Sequence, residues 1–163
     1  MSIRNLDHLL KPKSIALIGA SRTASSVGAV LAKNLFQGGF DGPILPVNPK
    51  HRFIQGVWTY HDVESLPLSP DLAVISTPAT TVPDIIKSLG AAGTKAAVVI
   101  SAGFGETTGT DGQKLQQAIL DTAQPFNLRI VGPNCLGILV PGLGINASFA
   151  QTTPKPGHLA FVT

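Results

Sequence analysis

The sequence predicts a doubly wound α/β domain built on a mainly parallel sheet, and two observations carry that expectation. Short runs rich in Val, Ile, Leu and Ala recur along the chain, apolar at nearly every position, as strands covered on both faces must be. Between them lie longer stretches whose apolar residues return every three or four positions, the spacing of a helix with one buried face. Strands alternating with such helices give a parallel sheet with helices on both sides.

Taken in order, the first strand is "SIALIG" (14–19), too short and too uniformly apolar for an independent helix. A helix follows over 25–37, where Val27, Val30, Leu31 and Leu35 form the stripe, Ser25 or Ser26 supplies the N-cap, and Gly38-Gly39 ends it. The second strand is "GPILPV" (42–47). Residues 51–68, with Trp58 and "DVESLP", are expected to hold a short strand and a helical turn. "DLAVIS" (71–76) is the third strand. The helix over 81–92 carries Val82, Ile85, Ile86 and Leu89, with Pro83 tolerated in its first turn. "AAVVIS" (96–101) is the fourth strand, 111–124 a helix striped by Leu115, Ala118, Ile119 and Ala123, and "RIVG" (129–132) the fifth strand.

With 163 residues, 44% hydrophobic and 13% charged, the chain is large enough for one substantial core and too small for two complete domains. The 17 glycines and 13 prolines punctuate the apolar runs, and no repeat or charge block is present. A net charge of +3 favours a small polyanionic ligand. The twelve Lys and Arg are scattered, and with one Tyr and one Trp there is no basic stripe interleaved with stacking aromatics, so a nucleic-acid partner is not expected. One cysteine, Cys135, permits no internal disulfide, and no apolar run approaches the ~20 residues of a membrane span. These features point to a cytoplasmic protein without a membrane partner. "GHLAFVT" has strand character up to Thr163, which suggests one domain over 1–157 and, from 158 to 163, the start of a strand leading into a following domain.

In a doubly wound sheet ligands lie across the carboxyl ends of the strands, so the turns that follow the strands carry the functional expectation. After the first strand come Gly19, Ala20, Ser21 and Arg22, then a polar run to Gly28 at the helix start. Free N–H groups and aligned peptide dipoles at that helix N-terminus attract phosphate, and Ser21, Thr23, Ser25 and Ser26 add hydroxyls. In a dinucleotide fingerprint a second glycine lets the backbone approach the pyrophosphate; Ser21 stands there instead, which disfavours NAD. The second strand ends in "PVNPK", offering Asn48 and Lys50 where NAD readers place Asp or Glu. A cation there suits a phosphorylated ribose, either the 2′-phosphate of NADP or the 3′-phosphate of coenzyme A. Thr77 and Pro78 follow the third strand and can wall a cofactor, while the backbone of Ser101, Ala102 and Gly103 after the fourth can donate to an amide or phosphate.

The blocks "SIALIGAS", "GPILPVNPK", "DLAVISTPA", "VVISAGFGE", "RIVGPNCLGI", "GINASFA" and "PKPGHLAFVT", in this order, resemble the N-terminal CoA-binding domain of NDP-forming acyl-CoA synthetases, a family distantly similar to the succinyl-CoA synthetase α subunit. They resemble equally the corresponding region of Pat-type protein lysine acetyltransferases. The resemblance covers essentially the whole chain and implies a Rossmann-like fold that binds CoA or acetyl-CoA within a longer polypeptide, followed by synthetase-like and ATP-grasp domains, with oligomerisation open. It places the phosphate loop on Ser21 and Arg22 with Gly28 opening the helix, the CoA-binding lysine on Lys50, the third-strand turn on Thr77 and Pro78, and the glycine loop on Ser101 to Gly103. It puts Asn134 and Cys135 at the thioester end. The first turn is longer than in succinyl-CoA synthetase and lacks its second glycine.

No catalytic residue is assigned. The family resemblance implies a phosphate-relaying histidine in a second domain, and none of His8, His51, His61 and His158 matches its motif or has metal-ligand spacing. Cys135 reads as a small hydrophobe, because no His or carboxylate is placed by sequence to activate it, and Glu106 and Asp111, toward the surface side of their loop, are not proposed as an acid/base pair. The expected function is therefore a CoA or acyl-CoA binding module of a synthetase or an acetyltransferase. An NADP-dependent oxidoreductase domain and a non-catalytic CoA sensor are the alternatives.

Overall fold

The computed structural model describes residues 3–104, 110–152, 154–158 and 160. After a short helix α1 (Leu6–Leu10) come β1 (Ile15–Ile18), α2 (Val27–Gln37), β2 (Ile44–Val47), β3 (Phe53–Ile54), β4 (Val57–Trp58), β5 (Leu72–Ile75), α3 (Val82–Ala92), β6 (Ala96–Val99), α4 (Thr110–Ala123), β7 (Arg129–Val131), β8 (Gly137–Val140) and β9 (Ile145–Ser148). The main sheet has the order β2-β1-β5-β6-β7 and every pairing in it is parallel. The α/β, doubly wound, Rossmann-like expectation is borne out. Order reverses between β1 and β5, and a crevice opens at the carboxyl ends of two strands whose chains depart in opposite directions.

The inner strands β1, β5 and β6 are apolar and buried at every position because each face has a cover. Ala16, Ile18, Ala73, Ile75, Ala97 and Val99 pack with Val82, Ile86 and Leu89 of α3 and Ile119 and Ala123 of α4. Ile15, Leu17, Leu72, Val74, Ala96 and Val98 pack on the other face with Leu31, Ala32 and Leu35 of α2 and Ile145 and Ala147 of β9. Asn34 fastens β9 beneath α2, its Nδ2 donating to the carbonyls of Ser148 (2.8 Å) and Ala150 (3.0 Å).

Three local readings change. Residues 51–68 hold an antiparallel hairpin, β3 paired with β4 through Gln55 and Gly56 at positive φ, and its only helical feature is a single turn closed by Leu66 N–H on Val63 O. Val27 does not belong to the buried stripe of α2: it is 41% exposed, because the first turn of the helix overhangs the crevice. Helix α1 and the antiparallel β8–β9 hairpin are additions to the elements that the sequence pattern predicts. The strand expected over 158–163 falls largely outside the described residues, as does Glu106. Among the described residues no helix is long and apolar enough to cross a membrane.

Candidate functional site

Four successive turns reach the carboxyl edge of the sheet. β1 runs into Gly19, whose N–H donates to Val47 O (3.1 Å) and whose φ of +93° carries the chain sharply off the strand. A Cβ there would sit 3.0 Å from Ser76 and Thr77 atoms, so the first and third turns lie against each other. The loop beyond is organised by its own hydroxyls: Thr23 N–H donates to Ser21 Oγ (3.1 Å), and Ser26 Oγ donates to Thr23 O (2.7 Å) while accepting from Ala29 N–H (3.2 Å). Ser26 is therefore the N-cap of α2. Gly28 follows with its Cα pressed onto the Gly19 carbonyl.

At the end of β2, Asn48 is half-buried and Lys50 is exposed. Tyr60 bridges back to Val47, with Tyr60 N–H on Pro46 O and Asn48 N–H on Tyr60 O, both 2.9 Å. This return brings residues 61–64 beside Lys50. His61 Nδ1 lies 3.0 Å from Asp62 Oδ2, and Ser65 N–H donates to Asp62 Oδ1 (2.8 Å). The His61 contact first, then Ser65, holds the Asp62 carboxyl below its ordinary pKa. At the third turn the Thr81 hydroxyl donates to Pro78 O (2.7 Å) and lies 2.9 Å from the Thr77 hydroxyl.

Three of these turns, after β1, β2 and β5, enclose a cleft of about 850 Å³, and six of the expected residues line it: Gly19, Ser21, Gly28, Lys50, Thr77 and Pro78. Arg22 is exposed on the same loop and is not part of the lining. Asn134 lines a second cavity of about 680 Å³ with Cys135, Phe104 and Gln116, beyond the end of β7. Ser101, Ala102 and Gly103 line neither, and by strand order their loop lies between the two. It is tied to the β7 turn by Asn134 N–H on Ser101 O (3.0 Å). The Cys135 thiol lies 3.4 Å from Val99 O, and burial raises its pKa, which leaves it mostly as the less nucleophilic thiol.

His51, His61, Asp62 and Glu64 also line the cleft, and sequence reasoning did not place them there. Their one sequence signal is nearness to Lys50, and what brings them to the cleft is the return of the chain at Tyr60 onto Val47. Among the described residues no group of three or more His, Cys, Asp or Glu is gathered to hold a metal ion.

The donors gathered along this edge fit a phosphate-bearing ligand, since the exposed Lys50 and the Ser21 and Thr77 hydroxyls all line the cleft. Ser101 Oγ, buried without a hydrogen-bond partner among the described residues, lines neither cavity.

Comparison with known proteins matches residues 13–141 to a family described as CoA binding domain. The acetate–CoA ligase (ADP-forming) I of Archaeoglobus fulgidus is 39% identical over 158 residues, covering 97% of this chain and 23% of that protein. A trans-feruloyl-CoA synthase from an unknown prokaryotic organism is 43% identical over 162 residues, covering 98% of this chain and 23% of that protein. The crystal structure of a Pyrococcus horikoshii OT3 protein superposes with a TM-score of 0.87 at 39% identity, over 93% of this chain and 34% of the other. The chain thus spans under a quarter of these two curated relatives.

Proposed function

We propose, for a chain that belongs to the CoA-binding domain family, that the carboxyl edge of its sheet holds CoA or acyl-CoA for chemistry completed by other parts of a longer acyl-CoA synthetase. The observation that carries this reading is the convergence of Ser21, Gly28, Lys50 and Thr77 from three separate turns on one cleft at the point where strand order reverses. On this reading the pyrophosphate meets the Ser21 loop and the N-terminus of α2, Lys50 meets the ribose 3′-phosphate, and Thr77 and Pro78 wall the start of the pantetheine arm. The arm then passes the Ser101 to Gly103 loop toward Asn134 in the second cavity. CoA supplies the thiol that carries the acyl group. The chain's own residues bind and orient it.

The named relatives support a synthetase over an acetyltransferase, since both are a ligase or a synthase by name. They act on different acids, acetate in one and ferulate in the other, so the acyl group is selected by features that this domain's family membership does not specify. The domain is proposed to extend over 1–157.

Calorimetric titration with CoA, acetyl-CoA, NAD and NADP tests the cofactor class. Asn48 and Lys50 at the end of β2, with Ser21 in the first turn, lead to the expectation that CoA binds more tightly than either nicotinamide dinucleotide. An NADP affinity tenfold better than that of CoA would overturn the reading. The 163-residue chain alone is expected to bind CoA without turnover when supplied with acetate, ATP and CoA, and acetyl-CoA formation by it would refute its role as a binding module.

A further inference from the structure

Asn48 uses both ends of its side-chain amide on two different turns of the cleft. Nδ2 donates to Ala20 O in the turn after β1 (2.7 Å), and Oδ1 accepts from Lys50 N–H (2.7 Å). The amide orientation follows from its partners, because a carbonyl needs a donor and a backbone N–H needs an acceptor. A third bond fixes the Asn48 backbone, whose N–H donates to Tyr60 O (2.9 Å). The residue is half-buried, so these bonds are partly shielded from water. Ala20 directly precedes Ser21. One planar amide therefore spans the two walls assigned to the pyrophosphate and to the ribose phosphate.

We infer that Asn48 is a positioning residue that sets Lys50 at a fixed separation from the Ser21 loop, and so determines the preference for a 3′-phosphorylated ligand. The inference rests on the proposed CoA reading. Lys50 itself is exposed, and its backbone amide is held by Asn48 Oδ1. A long ammonium side chain on a loosened turn would spread its charge over many positions, and the contact with a phosphate would be lost to entropy. An aspartate in place of Asn48 would keep the Lys50 bond but set a carboxylate oxygen against the Ala20 carbonyl and add a negative charge beside the phosphate. A neutral truncation is therefore the cleaner probe.

The experiment is isothermal titration of wild type, Asn48→Ala and Lys50→Ala with CoA and with dephospho-CoA, alongside thermal unfolding of each protein. The expected result is that Asn48→Ala narrows the preference for CoA over dephospho-CoA by about three- to tenfold, the scale of a lost hydrogen bond that orders a charged partner. A purely structural role would lower the melting temperature and weaken both ligands alike. Asn48→Ser carries the same test if the alanine variant does not fold: its short hydroxyl can still accept from Lys50 N–H in a turn but cannot span to Ala20. A preference that falls in Lys50→Ala and stays at the wild-type value in whichever Asn48 variant folds overturns this inference and leaves the CoA reading standing. A wild-type protein that binds both ligands without preference overturns this inference together with the placement of Lys50 on the 3′-phosphate, and one that binds neither overturns the CoA reading itself.

Discussion

Replacing Lys50 by alanine is expected to weaken CoA binding by roughly one to two decades while leaving dephospho-CoA nearly unchanged, the span given by about 1.5–3 kcal/mol for a hydrogen bond to a charged group. Lys50 lines the cleft and is exposed, and its hydrogen bond among the described residues runs through its backbone N–H, which leaves the ammonium available to a ligand. His51 and His61 stand along the same cleft, and Asp62, Glu64 and Asp84 contribute carboxylates to its wall. A dianionic phosphate entering there gains from the lysine and is repelled by the acids, so removal of the lysine leaves the repulsion uncompensated. Dephospho-CoA lacks that phosphate, and the comparison works as a double-mutant cycle in which the ligand supplies the second change. Because the side chain is exposed, Lys50→Ala is expected to cost no more than about 0.5 kcal/mol of folding stability. The difference between ligands should also shrink as salt rises, since a contact near solvent is screened. Equal losses for both ligands would place Lys50 away from the 3′-phosphate.

The reasons some features were legible in the sequence and others were not lie in chain separation. The inner strands of the main sheet announce themselves locally, because burial on both faces makes Ile15 to Ile18, Leu72 to Ile75 and Ala96 to Val99 apolar without interruption, and the short Val- and Ile-bearing runs of the edge strands complete the alternation. The helices do likewise through periodicity, and once strands and helices alternate, the carboxyl-edge turns follow. Gly19, Ser21, Lys50 and Thr77 could therefore be named from order alone. Helix α1 has five residues, fewer than two turns, and shows no period. The β8–β9 hairpin is cut by Gly137, Pro141, Gly142 and Gly144, so its strands lack a local signature and are held by what they pack against, chiefly α2. Val27 looked like core because it has the right residue type and spacing. Only the geometry of the first helical turn, which projects past the end of β1, places it over the cleft. His61, Asp62 and Glu64 reached the site through a tertiary return, the Tyr60 bridge to Val47, that no window of sequence contains.

Gly28→Ala is expected to destabilise the fold by about 3 kcal/mol, the upper part of the range for overpacking a tight contact, and to lower the melting temperature by about 6–12 °C for a domain of this size. The direction is not obvious from helix physics alone. Alanine is the better helix former by ~1 kcal/mol, so at an open helical position the same change would stabilise. Here a Cβ would lie 2.1 Å from Gly19 O, 3.2 Å from Gly19 C and 3.3 Å from Ser21 Cβ. Ordinary contact begins at 3.4 Å, and the nearest atom is backbone, which has no rotamer to change. Gly19 cannot retreat, because its N–H is bonded to Val47 O and its other side is closed by Ser76 and Thr77. The strain must therefore lift the start of α2 from the sheet, loosening Leu31, Ala32 and Leu35 from Ile15 and Leu17. The same movement separates the N-terminus of α2 from the Ser21 loop, so CoA and dephospho-CoA should weaken together, in contrast to Lys50→Ala. Gly142→Ala serves as the control, since nothing lies within 4 Å of its added Cβ and its φ is not in the left-handed region; a change within about 0.5 kcal/mol is expected there. Thermal or urea unfolding of the two variants beside the wild type decides the matter, and a Gly28→Ala protein as stable as wild type would show that α2 does not depend on this close approach.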